Sequence, residues 1–288
     1  MRLALLVLAY REPEVLRAAL PIYKAAGMDV FVHLDRKADL PAYVSRLGEA
    51  AENCRFIDRR ASVFWAGFSM IEAELALILA AMPERSYERF TLVSDDTFPL
   101  RSPAELRAYL EEDHDRVMLR KLDADDPFMV RYQKFFFLDH QATALLGRPI
   151  ESAAVDEAML HHMAHLQDTM RRGKKPIDIF YGSQWWSITR SSMETILGRL
   201  EDDSHLLESF RYSAVPDEIM FQSLIGNYVP ISHVRGGPVY VEWGKEPKPY
   251  VFRTDDELNA IGKDYAFARK FSASQPDGYS RLRHSNIR

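Results

Sequence analysis

The chain alternates short, unbroken apolar runs with segments of helical spacing. The first run, Leu3 to Ala9, has the length and continuity of a strand covered on both faces. Pro13 opens a helix whose apolar face is Val15, Leu16, Ala19, Leu20 and Tyr23, with Pro21 as a kink point and Gly27 as its end. A second strand, Val30 to Leu34, stops at Asp35. A helix follows over 40–51, then a short strand from Arg55 to Ile57. Ser69 and Glu72 stand at capping-box spacing, heading a helix that carries Ile71, Leu75, Ile78, Leu79 and Met82 and closes at Pro83. Phe90 to Ser94 reads as a central strand that runs into Asp95 and Asp96.

Strand and helix thus alternate through the first hundred residues. This order predicts an α/β fold with a Rossmann-like, mostly parallel sheet and helices on both faces. Residues 123–180 carry aromatics, charges and histidines without a clean period. Order returns with a strand near Ile179, a helix over 191–200, a helix begun by Pro216 with Phe221, Leu224 and Ile225 inward, and a strand from Val239 to Trp243. The polar tail after Phe271 reads as loop.

Composition narrows the function classes. The 288 residues are 47% hydrophobic and 27% charged, as in soluble globular chains. A net charge of -5 argues against nucleic acid as a partner. A single cysteine, Cys54, rules out an internal disulfide and fits a reducing compartment. Tyr10-Arg11-Glu12 replaces the small-residue cleavage site of a signal peptide, and the run before it is too short to span a bilayer. A cytoplasmic protein without a transmembrane segment is expected. Dinucleotide-binding and Walker glycine patterns are absent from the sequence.

Several residues could carry chemistry. Tyr10, Asp35 and the Asp95-Asp96 pair lie just past strand ends, where open α/β sheets bind ligands. Paired acids also suit a divalent metal. His161 and His165 share a helical face at zinc-compatible spacing, but no Glu follows His161 as in a zinc protease, so a plain helix surface is the better reading. The tryptophans Trp65, Trp185, Trp186 and Trp243 suit either core or sugar stacking. Glu218 is expected in a helical first turn, where the dipole keeps a carboxylate ionised. It is either a plain helix-start residue or a general base.

The motifs together resemble the core-2/I-branching β-1,6-N-acetylglucosaminyltransferase family, which includes peptide O-xylosyltransferases. The likeness runs in order through Leu6-Val7-Leu8-Ala9-Tyr10, Val32-His33-Leu34-Asp35-Arg36-Lys37-Ala38-Asp39 and Trp65-Ala66-Gly67-Phe68-Ser69-Met70-Ile71-Glu72-Ala73. It continues through Leu92-Val93-Ser94-Asp95-Asp96-Thr97-Phe98-Pro99-Leu100, Gly182-Ser183-Gln184-Trp185-Trp186, Pro216-Asp217-Glu218 and Phe267-Ala268-Arg269-Lys270-Phe271. The chain departs from the pattern with Tyr10 for a frequent His, Ala66 for a common Gly, and an extra acid in Ser94-Asp95-Asp96. Animal members carry a membrane anchor and disulfides, so the chain fits a bacterial member better.

The resemblance implies a single GT-A-like domain over 1–288. Residues 1–120 would form the nucleotide-sugar half, and 121–288 the acceptor and diphosphate half. It implies an inverting, metal-independent transfer of GlcNAc, or else xylose, from a UDP-sugar to a hydroxyl of a glycan-type acceptor, such as a polysaccharide under assembly, without a cofactor. Glu218 takes the position of the family's base. Lys270 takes that of a diphosphate cation, with Lys248 or Arg253 as the second. Tyr10, His33 and Asp35 fall to the nucleotide. Asp95, Asp96, Ser183, Gln184, Trp185, Trp243 and Arg131 fall to the donor or acceptor sugar, and Asp217 to a structural part. Two other classes compete: a nucleotide- or sugar-binding protein on the same scaffold without turnover, and an inverting glycoside hydrolase, which would have no UDP affinity.

Overall fold

A computed structural model describes residues 1–139, 161, 164–244, 248–252 and 261–272. Its central sheet has seven strands in the order β10-β6-β9-β4-β1-β2-β3. These are β1 (Arg2–Ala9), β2 (Met28–Leu34), β3 (Cys54–Phe56), β4 (Tyr87–Ser94), β6 (Asp115–Arg116), β9 (Ser187–Thr189) and β10 (Val234–Arg235). Neighbours run parallel except at β9, which is antiparallel to both β4 and β6. The sheet is therefore mostly parallel, as the alternation predicts. Leu5, Leu6 and Val7 of β1 and Leu92 of β4 are fully buried, which explains their unbroken apolar runs.

Helices α1 (Glu14–Ala25) and α3 (Ser69–Ala81) contact β2, and α3 also contacts β1. Helix α2 (Leu40–Leu47) is shorter than its apolar pattern suggests. Gly48 follows at φ 61°, and a 3-10 turn, Gly48–Asn53, completes the segment. The Ser69–Glu72 capping box does not form. The Ser69 hydroxyl instead donates to Asp139 at 2.6 Å and accepts from the Phe64 N–H at 2.8 Å. A reciprocal box does form at Ser102 and Glu105, heading α4 (Pro103–Leu110). Leu79, expected on the apolar face of α3, is 51% exposed; Ala73, Leu77 and Ala81 are buried with Ile71 and Ile78.

A smaller three-stranded sheet joins distant parts of the chain. Its order is β11-β12-β5, from β5 (Phe98–Pro99), β11 (Val239–Val241) and β12 (Phe267–Arg269). The expected strand at 239–243 thus ends at Val241, although Trp243 still bridges Pro249. A third pair, β7 (Arg120–Lys121) with β8 (Phe180–Tyr181), and the short helix α5 (Val130–Gln133) flank the region around Glu218. Helix α6 (Arg190–Asp202) follows β9, α7 (Ser204–Glu208) leads toward the Pro216 turn, and α8 (Met220–Tyr228) lies beyond it. No helix among the described residues is long and apolar enough to cross a membrane.

Candidate active site

The carboxyl ends of β1, β2 and β4 meet at one rim. The Asp35 N–H donates to the Ala9 carbonyl at 2.8 Å, and the Asp95 N–H donates to the Leu8 carbonyl at 2.9 Å. The carboxyls of the two neighbouring acids are shifted in opposite directions. Asp95 is buried, accepting from the Tyr10 N–H at 3.0 Å and the Tyr43 hydroxyl at 3.2 Å. Burial, followed by the charge of Asp96, pushes its carboxyl up to about 7. Burial would raise Asp96 as well, but Arg269, Ser94 and Lys270 outweigh it and hold that carboxyl below its ordinary value. Arg269 grips Asp96 through Nε at 3.0 Å and Nη2 at 3.2 Å, Ser94 Oγ donates at 2.6 Å, and Lys270 Nζ stands at 3.4 Å. β12 supplies Arg269, and β12 is paired with β5 directly after the acids. The two cations are thus delivered to the rim by strand pairing.

Other rim residues are engaged within the chain. Asp35 accepts from the backbone N–H of Lys37 at 2.8 Å and from its Nζ at 2.8 Å. His33 is 1% exposed, and its Nε2 accepts from the Ala61 N–H at 2.8 Å. Burial pushes the His33 ring down to about 4, so it is a neutral acceptor that braces the loop after β3. Tyr10 remains 45% exposed.

Glu218 lies in a 3-10 turn, Pro216–Glu218, and α8 starts only after Ile219. The expected helical first turn is absent, so a helix dipole is not available to Glu218. Arg131 of α5 pairs with it instead, donating from Nη1 to Oε2 at 2.8 Å. Burial lifts the Glu218 carboxyl, while Arg131 and the Tyr181 hydroxyl hold it back; the net direction is upward. A carboxylate poised above its ordinary value, yet still paired, suits a general base. Beside it, Arg131 lies 4.4 Å from the Phe128 ring centre and 5.5 Å from that of Tyr181. Phe128 and Tyr181 stack at 4.7 Å and are both half-buried. They make an aromatic shelf beside Glu218 that the sequence does not disclose, because both lie in or next to the stretch without a period.

The turn is held from behind by two strained residues. Ala66 (φ 65°) and Val215 (φ 51°) both adopt left-handed backbone, and the Val215 N–H donates to the Ala66 carbonyl at 2.9 Å. Such φ values are unfavourable for alanine and more so for a β-branched residue. The glycine expected at position 66 from the family pattern would carry no such penalty.

Asp217 is 4% exposed, and its Oδ1 has no hydrogen-bond partner among the described residues. Burial and then the charge of Glu218 push it up to about 7. The folded chain therefore binds this proton more tightly than the unfolded chain. Stability contributed at low pH is lost as pH rises from about 3.8 toward 7. Asp217→Asn removes this loss. Melting curves are expected to show the variant gaining on the parent between about pH 5 and pH 8, by roughly 2 °C or more. The same melting difference at both pH values would show that Asp217 does not titrate this way.

One segment, residues 182–186, joins the two halves of the site. The Gly182 N–H donates to the Glu218 carbonyl at 2.9 Å. Trp185 lies under Arg269, whose guanidinium carbon is 4.8 Å from the ring centre. Three residues of chain span at most about 11 Å, so the backbone of Glu218 and the Arg269 guanidinium attach at opposite ends of a short strap. Gly182 is required here, because a Cβ would fall 1.8 Å from the Met118 carbonyl oxygen. Within the strap, the Gln184 amide turns inward and donates to the fully buried Glu74 at 2.8 Å. Ser183 Oγ accepts from the Trp185 N–H at 3.4 Å. Trp186 is core, 5.3 Å from Phe221 ring to ring. Glu74 was missed by sequence reading because an acid on the buried face of α3 looks like a solvated helix residue.

The remaining candidates lie farther out. Lys248 is exposed; its segment reaches the cation strand through the Lys270 N–H, which donates to the Tyr250 carbonyl at 3.2 Å. Arg253 lies outside the described residues. Trp243 and Trp65 are 61% and 84% exposed. His161 and His165 approach to 3.1 Å, Nε2 to Nε2.

Comparison with known proteins decides the family. The model of the Core-2/I-Branching enzyme matches residues 29–261. The chain belongs to this family. It is also similar to xylosyltransferase 2 of Homo sapiens, at 24% identity over 268 residues, covering 85% of this chain and 29% of that protein. Xylosyltransferase 2 of Mus musculus matches at 24% identity, over 68% of this chain and 21% of the relative. Xylosyltransferase 1 of Rattus norvegicus matches at 22%, over 68% and 22%. The chain thus spans less than a third of the length of these curated relatives. As a member of this glycosyltransferase family, it has the GT-A-like α/β architecture expected from its motifs.

Proposed function

We propose that this chain transfers a sugar from a UDP-sugar to a hydroxyl of a glycan-type acceptor, with inversion and without a divalent metal. The observation that carries the reading is the short strap between Glu218 and the Arg269–Lys270 pair. In an in-line displacement, the acceptor oxygen forms a bond to the anomeric carbon as Glu218 takes its proton. The bond from that carbon to the diphosphate breaks, and the leaving group keeps the electron pair. In this reading Lys270 and Arg269 neutralise the departing diphosphate, a role that their shared position beside Asp96 supports. Sequence reading named Lys270 with Lys248 or Arg253; Arg269 is the second cation that the geometry supports best.

Asp95 and Asp96 are committed to Tyr10, Tyr43, Arg269, Lys270 and Ser94, which supports their work as organisers of the cation pair in preference to metal ligands. GlcNAc follows from the motif resemblance, and xylose draws support from the named relatives. Residues 1–120 form the donor half in this reading and 121–288 the acceptor half. A UDP-release assay across UDP-sugars, run with and without EDTA, tests the proposal. Turnover with a preferred donor and unchanged by EDTA is expected. Loss in EDTA that Mn²⁺ restores would overturn the metal-free mechanism and move Asp95 and Asp96 to metal binding.

A further inference from the structure

On the other side of the strained Ala66–Val215 contact lies a cavity of about 430 Å³ that holds neither Glu218 nor the Arg269–Lys270 pair. Its size falls in the range of small-ligand pockets. Four arginines line it, Arg36, Arg59, Arg60 and Arg211, against two acids, Glu72 and Asp139. The arginines differ in how far they are spent. Arg211 is clamped by Glu208 at 2.7 and 2.8 Å, with Glu72 at 3.8 Å. Arg60 donates to the carbonyls of Leu34, Asp35 and Ala38 at 2.7–2.8 Å, which orients its charge without cancelling it. Arg36 and Arg59 are exposed at the rim with no ion pair within 4 Å among the described residues, although the charge of Arg59 acts on Glu72.

The floor already accepts an oxyanion from the chain itself. The Asp139 carboxylate sits at the N-terminus of α3, taking the Ser69 hydroxyl at 2.6 Å and the Ser69 N–H at 3.3 Å. Gly67 makes this seat, since a Cβ there would lie 2.0 Å from Asp139 Oδ1. The walls combine the rings of Phe64, Phe136 and Tyr212 with the hydroxyls of Ser62 and Ser213. Aromatic faces with interspersed hydroxyls match the C–H faces and hydroxyls of a sugar ring. Unspent guanidiniums match a carboxylate or phosphate on that ring.

We propose that this cavity is a subsite for an anionic sugar residue, one bearing a carboxylate or a phosphate, so that the acceptor is an acidic glycan. This rests on the transfer reading only for the word acceptor; the binding itself is independent of it. The cavity is coupled to the base by the chain: Ser213 lines it, Val215 docks on Ala66, and the turn carrying Glu218 follows. An acid seated there fixes one end of the acceptor while another hydroxyl is offered to Glu218.

The test is calorimetric titration of the full chain with glucuronate, glucose 6-phosphate, glucose and inorganic phosphate, in parallel with UDP. Expected is binding of the two acidic sugars, with glucose at least about 10-fold weaker. Arg59→Glu is expected to weaken the acidic sugars by about 10-fold or more with UDP affinity unchanged, and Arg59→Lys to retain most of the binding. Glucuronate alone, or glucose 6-phosphate alone, fixes which anion the site takes and supports the proposal. Glucose binding as tightly as glucuronate would overturn it. So would acidic-sugar binding that Arg59→Glu leaves intact, or phosphate binding as tightly as glucose 6-phosphate. Absence of UDP binding or of turnover would instead sink the transfer reading, leaving the titration with acidic sugars to stand by itself.

Discussion

Under the proposed mechanism, replacing Glu218 by Gln is expected to lower the transfer rate by about 10²–10⁴-fold, the range that a positioned general base supplies, and to leave UDP affinity unchanged. The amide keeps the volume of the carboxylate and an oxygen for Arg131, which donates at 2.8 Å in the parent chain. It cannot take a proton from an incoming hydroxyl. Single-turnover rates and UDP titration on the same preparation separate chemistry from binding. Equal rates in the two proteins would remove Glu218 from the reaction. A parent chain that binds UDP yet transfers nothing from any UDP-sugar would favour a binding protein on this scaffold.

The second large effect is expected at the cations. Under the proposed mechanism, changing Arg269 and Lys270 together to Ala is expected to lower the rate by about 10²–10³-fold and to weaken UDP, because these two cations would answer the charge of the departing diphosphate. The change also strips Asp96 of both its cations and leaves it only the Ser94 hydroxyl, and a buried carboxylate without a cation is costly by itself. Adding Asp96→Asn to the double variant relieves that cost. The triple variant is expected to regain thermal stability but neither UDP affinity nor rate. Recovery of the rate in the triple variant would show that the cations serve only to satisfy Asp96.

Much of the parallel core was legible because buried strands write themselves as short apolar runs. Leu3 to Ala9 and Phe90 to Ser94 match observed strands to within a few residues at their ends. The small sheet was harder. β5 has two residues and β12 three, too few for a periodic signal, and their pairing joins positions far apart in the chain. Local rules misled where tertiary partners competed. Ser69 has the right neighbour for a capping box but gives its hydroxyl to Asp139. Glu218 follows a proline that promises a helix, yet the left-handed Val215 before it and Ile219 after it confine the segment to a single 3-10 turn. The departure from the family at Ala66 was visible as a letter; only its φ of 65° shows why glycine suits that place. Glu74 was not legible as the partner of Gln184, because the contact spans 110 positions and nothing local marks it.

The Asp96–Arg269 contact spans 173 positions of sequence. During synthesis, β1, β2 and β4 can be complete, with both acids of the rim in place, long before the ribosome has made the cations that answer them. The nascent chain therefore carries Asp95 and Asp96 without the two cations that answer Asp96 in the folded protein. Once β12 docks beside β5, the same rim gains its two cations. Under the proposed transfer mechanism, donor affinity is expected to report on this long-range closure: a molecule that binds UDP is one whose late segment has already docked.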